Sequence, residues 1–437
     1  MTDTQIFHPD YREHPFWWEA FTPTGSHEEA VPNHASVAII GAGYAGLATA
    51  RELAQHGIDA VVFDAGAPGQ GASTRSGGLI MGGDSVKQPL LATPPDARLN
   101  ADMIRNFDDA LTLLETIISS EQINCGWTRS GAFKGAWSSR HLASMHSRVE
   151  RLNNLSNAGA QVVETNAQRD HIGSDFYHGG MTIEAAGHLH PALYYQGLLN
   201  ACFNRNILVC SNAPVTALSR RCGEWAVSTP RGTTKAQTVV IATNGYTGEL
   251  TPNFQRRLLP LGAYIIATEP LDPGLADQLS PRNHALLDSK RISTFFRLWR
   301  PEHRLIYGSR MRWRDVTATE MAPLLHASMV ERYPDLQGKK ITHAWTGNVA
   351  LTLDERPHIG ELDGLHYALG CNGAGVANMT YLGTQLARRI AGAANYHCAF
   401  DGTQFPSHPL YNGRSRWMLP IIGNYLQLRD WLDRLWR

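Results

Sequence analysis

Lysine is scarce in this 437-residue chain: only six of its 39 basic residues are lysine (Lys87, Lys134, Lys235, Lys290, Lys339 and Lys340), and the rest are arginine. Basic and acidic side chains balance at 39 each. A formal charge of zero gives the surface no general attraction for nucleic acid or anionic lipid, so nucleic acid is not expected as a partner. The six cysteines, at 125, 202, 210, 222, 371 and 398, form no C-x-x-C pair and read as reduced thiols of a cytoplasmic protein. No apolar run approaches the roughly 20 residues that span a bilayer, and the opening Met-Thr-Asp-Thr-Gln lacks the basic and apolar regions of an export signal. HExxH, GxSxG and metal-spaced Cys/His sets are missing, so neither a bound metal nor a hydrolase triad is expected. Internal repeats and low-complexity segments are absent too.

What the chain does have is glycine at fixed places. Residues 36–65 spell out strand, turn, helix and strand. Val37 to Ile40 is a short apolar run; Gly41 makes the tight turn, Gly43 lets backbone approach a pyrophosphate, and Gly46 lets the new helix lie close to the strand. The helix runs from Ala45 to Ala54 and stops at Gly57; Val61 to Phe63 is the second strand, closing on Asp64. A carboxylate there accepts a ribose 2′-OH and disfavours a 2′-phosphate. This is a dinucleotide-binding unit, with Gly41, Gly43, Tyr44, Ala45, Gly46, Asp64 and Ala65 as its cofactor-facing residues.

Three distant segments point to FAD as the dinucleotide. Gly71-Ala72-Ser73-Thr74-Arg75-Ser76-Gly77-Gly78 is too rich in glycine and small hydroxyls for a core element and reads as a loop wrapped around a ligand. Ala236 to Asn244 is a buried strand whose end, Ala242-Thr243-Asn244, meets Gly245 in a turn that returns the chain to the dinucleotide. Near the end, a strand from Leu365 to Leu369 leads through Gly370-Cys371-Asn372-Gly373-Ala374-Gly375-Val376 into a helix reaching Arg389. That is a second helix N-terminus aimed at something electron-rich, which suits a reduced flavin ring.

Together these segments resemble the flavoprotein superfamily of D-amino-acid oxidase, glycine oxidase and monomeric sarcosine oxidase, and within it most closely the γ-glutamylputrescine oxidoreductase type. The likeness also rests on His14-Pro15-Phe16-Trp17-Trp18-Glu19, on Tyr177-His178-Gly179-Gly180 with Gly187-His188-Leu189-His190-Pro191, on Thr268-Glu269-Pro270-Leu271, and on Trp345-Thr346-Gly347 with Thr352-Leu353-Asp354-Glu355-Arg356-Pro357. It implies an α/β chain in which a Rossmann-like FAD domain of the glutathione-reductase type is interleaved with an α+β substrate domain on a mainly antiparallel sheet. Val215 and Gly347 join the cofactor set on this basis. The sarcosine oxidases attach flavin through a cysteine in the stretch matching Gly347 to Leu353, where this chain has none, and Ser73 to Gly78 lacks the histidine that other members use. The expected FAD is therefore noncovalent. The sarcosine type also places a lysine over flavin N5 to activate oxygen; Glu249 to Gly262 holds Arg256 and Arg257 but no lysine. The electron acceptor is thus either oxygen or a quinone or carrier.

The expected organisation is an arm at 1–34, FAD-domain segments at 35–85, 155–250 and 340–400, substrate-domain segments at 86–154 and 251–339, and a tail at 401–437. Helices are expected from Asp102 to Ser119 and from Arg140 to Asn157, and strands from Leu259 to Thr268, Ile292 to Trp299 and Arg304 to Ser309, the last two as a hairpin. From Pro420 the apolar positions Ile421, Tyr425, Leu428, Leu432 and Leu435 recur at helical spacing with Trp417, Trp431, Trp436 and arginines around them. This helix either docks on the body or lies peripherally on the inner face of a membrane, where it would reach a quinone pool.

A flavin transfers the electrons itself, so the protein need supply only position and electrostatics. The expected reaction is oxidation of a C–N bond of an amine or amino acid, the imine then hydrolysing. A polyamine conjugate such as γ-glutamylputrescine is the expected substrate, a secondary or cyclic amino acid the alternative, and a flavin protein without turnover the remote one. Arg297, Trp345 and His188 are the candidate catalytic residues. Arg297 is a charge in an aromatic strand, needing a carboxylate from substrate or from an internal Asp or Glu. His188 and His190 either act on the substrate or are hydrogen-bonded structural groups where a strand meets a helix starting near Pro191. Arg310 and Arg312 are weaker candidates.

Overall fold

The computed structural model describes residues 4–24, 30–86, 95–309, 315–394, 396–413 and 418–435. In the first of two large sheets, Leu208–Cys210, Ala60–Phe63, His34–Ile40 and Gly232–Ile241 lie parallel in that order. Helices cover such a sheet, so its strands are buried on both faces and read as continuous apolar runs such as Val37-Ala38-Ile39-Ile40. The long strand Gly232–Ile241 pairs at its start with Glu224–Thr229 in an antiparallel meander and at its end, in parallel, with Leu365–Leu369. Helices Tyr44–Gln55 and Gly375–Ile390 run together over this sheet: Ala45 meets Gly383, and further along Glu52 accepts a 2.6 Å hydrogen bond from Arg388 Nε. The two helices are therefore parallel, and each starts at a glycine turn.

The second sheet has the order Phe7–Arg12, Ile341–Thr352, Leu258–Thr268, Arg304–Ser309, Phe295–Trp299, Ala285–Asp288, Ala132–Gly135, Gly180–Ile183 and Gln161–Val163. It is mainly antiparallel, with parallel pairing between its first two strands and between Ala285–Asp288 and Ala132–Gly135. The expected hairpin is present, with His303 at φ 51° closing the turn. The expected helices appear as Ala97–Ser120, N-capped by the Asp96 carboxylate on Leu99 N–H, and Ser139–Leu155.

The segment boundaries need correction. Gln161–Val163, Gly180–Ile183 and Ile341–Thr352 belong to the second sheet, and the arm at 1–34 contributes its edge strand Phe7–Arg12. Local pattern identifies a strand, but the sheet it joins is decided by partners outside that local stretch, from Gly180–Ile183 for Gln161–Val163 to Ile341–Thr352 for Phe7–Arg12. Ile341–Thr352 bridges the two layers, pairing along its length with Leu258–Thr268 while its end lies against the second glycine turn, where Ala350 O accepts from Asn372 N–H at 2.9 Å.

Candidate active site

Four expected cofactor segments begin where parallel strands end: Gly41 after Ile40, Asp64 after Phe63, Ala242 after Ile241 and Gly370 after Leu369. The carboxyl ends of parallel strands are where open α/β sheets bind ligands. Gly41 has φ +107°, and a Cβ on it would lie 2.8 Å from Ala242 O; a Cβ on Gly46 would lie 1.9 Å from Gly41 O. Turn, helix and neighbouring strand are thus in contact through bare backbone. A Cβ on Gly43 would meet only Ser73 Oγ, at 3.2 Å, which leaves open space before the helix N-terminus. Asp64 accepts from Ala42 N–H at 2.9 Å and Gly66 N–H at 3.1 Å; burial raises its carboxyl pKa, and these donors pull it back. Val215 stands just past the stretch 210–213, which runs beside Asp64 and Gly66 through backbone hydrogen bonds.

Three indoles fix the loop 71–78. Trp18 Nε1 donates to Thr74 Oγ1 at 2.9 Å, Trp345 Nε1 to Arg75 O at 2.8 Å, and Trp17 Nε1 to Ser76 O at 2.8 Å. Ser73 Oγ accepts from Tyr44 N–H at 3.2 Å, coupling the loop to the first helix turn. The Arg75 guanidinium lies 4.5 Å over the Trp18 ring and donates to Gln70 O and Thr346 O. Gly347 lies close beside it: a Cβ there would stand 3.2 Å from Arg75 Cβ. Phe295, from the second sheet, packs over Gly77.

The second turn is tied to the first sheet by Asn244, at φ 45°, whose Oδ1 accepts from Gly370 N–H at 3.0 Å and Cys371 N–H at 3.2 Å. Asn372 buries its amide between Thr352 N–H, 3.0 Å, and Gly370 O, 2.9 Å. Gly245 packs on Asn348 backbone, where a Cβ would lie 2.8 Å from its carbonyl. Helix Gly375–Ile390 then starts from Ala374 with no side-chain cap. Because Gly383 lies beside Ala45, this helix starts about 12 Å ahead of that contact, at 1.5 Å per residue. One helix end can therefore serve a pyrophosphate while the other serves a ring system further along. Cradles that a single Cβ would fill, and an uncapped helix end, fit FAD. Cys371 is buried, its N–H held by Asn244, as expected of a packing residue.

The candidate catalytic residues lie deeper than the loop. Arg297 is fully buried, its guanidinium 4.9 Å from the Trp17 ring and 5.3 Å from the Trp299 ring. It donates to Leu189 O at 2.9 Å and contacts His188 Nδ1 at 2.7 Å; burial lowers its pKa to about 9, so it stays charged at neutral pH. The internal carboxylate offered as one solution is not among these partners. His188 has Nε2 on Asn283 O at 2.9 Å and Nδ1 facing Arg297, an arrangement that assigns the neutral Nε2–H tautomer. Burial and Arg297 depress its pKa to about 3. His190 caps helix Pro191–Phe203, accepting from Leu193 N–H at 3.2 Å. Both histidines are hydrogen-bonded where a strand meets a helix. Trp345 spends its one donor on the loop. Arg297→Lys is expected to lower stability by about 2 kcal/mol, because one hydrogen bond and the stacking are lost, with substrate KM unchanged. Thermal melting and steady-state kinetics check this; a raised KM at unchanged melting temperature would return Arg297 to the substrate.

Sequence reasoning missed Trp17 and Trp18 as loop anchors, and Asn348 and Tyr246 as neighbours of the loop and turn. The signal for the first was there: two adjacent indoles ahead of the first strand, costly to leave in water. Arg256 is exposed and Arg257 donates to Phe405 O and Asn253 O, so neither faces the loop. Arg310, Arg312, Trp417 and Trp436 lie outside the described residues. His14, Glu19 and His343, from two segments, bring three ligand atoms within 4.8 Å of one another, but Arg12 already holds Glu19 at 2.6 Å.

The pattern of the FAD dependent oxidoreductases, the DAO family, matches residues 36–389. This chain belongs to that family and is an FAD-dependent oxidoreductase. It is 30% identical over 401 residues to the γ-glutamylputrescine oxidoreductase of Escherichia coli (strain K12), covering 90% of this chain and 92% of that protein. To the probable oxidoreductase OrdL of Haemophilus influenzae it is 29% identical over 389 residues, 87% and 88% of the two chains. The crystal structure of glycine oxidase from Geobacillus kaustophilus has the same fold, with TM-score 0.71 at 18% identity over 86% of this chain and 99% of that one.

Proposed function

We propose that this enzyme oxidises a C–N bond of an amine or amino acid and that a polyamine conjugate of the γ-glutamylputrescine kind is its substrate. The observation that carries the reading is the pair of parallel helices that each start at a glycine turn, together with the loop 71–78, where Tyr246 lies against Gly71 and Phe295 over Gly77. The substrate class is supported by the relative named for γ-glutamylputrescine, which matches nine tenths of the chain. When bound, noncovalent FAD supplies the hydride acceptor at N5. Gly43 would leave room for its pyrophosphate, with Gly41 and Gly46 letting turn, strand and helix pack closely around it; Asp64 would accept from its ribose, and loop 71–78 with Asn372 to Val376 would hold the ring. With His188 neutral and fully hydrogen-bonded, the chain contributes orientation and exclusion of water, and the imine product hydrolyses in water.

One observation favours a second reading, oxidation of a secondary or cyclic amino acid. Arg75 stands on the flavin loop with carbonyl oxygens as its hydrogen-bond acceptors, which leaves its charge available to a substrate carboxylate. A panel of polyamine conjugates, N-methyl amino acids and cyclic amino acids, scored by anaerobic bleaching of the flavin, separates the two. Bleaching by the conjugates at the lowest concentration is expected. Preference for the amino acids establishes the second reading, and no bleaching by any member sinks both. Since Arg256 and Arg257 face elsewhere, reoxidation is expected to be faster with a quinone analogue than with air-saturated buffer. Stopped-flow traces with each acceptor test this; rapid reaction with oxygen and stoichiometric peroxide would make the enzyme an oxidase.

A further inference from the structure

The C-terminal helix Met418–Leu435 is docked the wrong way round for a soluble amphipathic helix. Its acids are Asp430 and Asp433, and both point inward. Asp430 accepts from Arg291 N–H at 3.1 Å and Ile292 N–H at 3.2 Å, and its backbone carbonyl accepts from Trp137 Nε1 at 2.7 Å. Asp433 pairs with Arg291 Nη1 at 2.5 Å and His141 Nε2 at 3.3 Å, while the Arg434 guanidinium lies 4.6 Å over the Trp137 ring. These contacts fix the rotation of the helix about its axis. At 100° per residue, the face opposite Asp430 carries Ile421, Tyr425, Leu428, Leu432 and Leu435, with Trp431 on its flank.

That face is in solvent. Ile421 is 63% exposed, Tyr425 45%, Leu428 52%, Trp431 57% and Leu435 58%, and these five are most of the large exposed apolar residues among those described. They form one stripe along a helix about 27 Å long. Charge on the outward side is basic: Arg429 is exposed and lies along the Tyr425 ring with Nη1 on its hydroxyl at 2.8 Å, whereas the acids are neutralised beneath. Exposed stripes of this kind mark an interaction site. A second copy is poorly suited, because five half-exposed side chains offer on the order of 500 Å², short of the roughly 800 Å² per partner of a stable soluble dimer. An apolar stripe with tryptophan, tyrosine and arginine at its borders, and no outward acid, matches the headgroup boundary of an anionic bilayer. None of the described helices is long and apolar enough to cross one.

We infer that the Met418–Leu435 helix is a membrane-surface anchor that seats the enzyme on anionic phospholipid through Ile421, Tyr425, Leu428, Trp431 and Leu435. Seating on phospholipid is separate from the reaction and does not depend on which amine is oxidised. The helix is clamped to the loop 289–292, which leads into Phe295–Trp299 of the second sheet, so anchoring holds that side of the substrate layer at the bilayer.

The test is sedimentation of the full-length holoenzyme with phosphatidylglycerol/phosphatidylethanolamine vesicles and with phosphatidylcholine vesicles. Binding to the anionic vesicles is expected, weakened about tenfold or more on phosphatidylcholine or in about 0.5 M salt. Leu428→Glu and Trp431→Glu point into solvent, so flavin content and melting temperature should stay at wild-type values while vesicle binding falls about tenfold or more. Arg429→Glu should remove the preference for anionic lipid. Failure to sediment with anionic vesicles, or wild-type binding by Leu428→Glu, would overturn the anchor. So would a dimer in analytical ultracentrifugation that Leu428→Glu dissolves, because the stripe would then join two copies.

Discussion

Gly43→Val is expected to give a folded, colourless protein. Residue 43 has φ −80° and ψ −173°, which valine adopts, and its Cβ meets only the rotatable Ser73 hydroxyl. The branched side chain stands instead before the helix N-terminus, where the pyrophosphate needs backbone contact, and a loss of about 100-fold or more in FAD affinity follows. Gly46→Ala should behave differently. Its Cβ would lie 1.9 Å from a backbone carbonyl, an overlap that no rotamer relieves, at a cost of about 3 kcal/mol or more. The check is the flavin-to-protein absorbance ratio together with the melting temperature of each apoprotein. A yellow Gly43→Val protein would show that the space before the helix is not the pyrophosphate's. Acid precipitation of the wild type should release the colour; flavin kept in the pellet would contradict noncovalent binding.

Asp84→Ala should be strongly destabilising although it lies outside the glycine turns. Asp84 is buried just after the loop 71–78 and takes Lys134 Nζ at 2.7 Å and the Arg148 guanidinium. Removing it leaves two cations facing a buried gap, for a loss of about 3 kcal/mol. Burial pushes the Asp84 carboxyl up, and Arg148 and Lys134 more than reverse this, holding its pKa below the ordinary 3.8. A folded-state pKa lower than the unfolded one gives stability present in full above the unfolded value and lost as pH falls through the folded one. The wild type should therefore lose this contribution only below about pH 3.8, and the melting temperatures of wild type and Asp84→Ala should converge there. A constant difference between pH 7 and pH 3 would remove the ion cluster as the cause.

The nucleotide half of the site was legible because its instructions are local. Gly41, Gly43, Gly46 and Asp64 lie within 24 residues, and each meets a requirement of one strand–turn–helix unit. The second glycine turn was legible only as composition. Asn244 belongs to a turn that the sequence reveals, but its role is to hold Gly370 and Cys371, 126 and 127 residues away, which no periodicity encodes. Arg297 has the same history. Its aromatic strand announces a buried charge, whereas its partners, a neutral imidazole and a carbonyl, become visible only when Phe295–Trp299 is laid beside residues 188–189. The tail is the sharpest case. Helical spacing reveals the apolar stripe from Ile421 to Leu435, but which way it faces depends on Arg291 and His141.

The edge strand Phe7–Arg12 pairs with Ile341–Thr352, more than 300 residues downstream. The first strand to emerge during synthesis therefore has its sheet partner among the last. Contacts this distant in sequence make closure of the second sheet a late and slow event. A chain that stops before residue 341 lacks the partner of its own beginning. An N-terminal half would leave Phe7–Arg12 without Ile341–Thr352 and His34–Ile40 without Gly232–Ile241, although it contains the whole glycine motif.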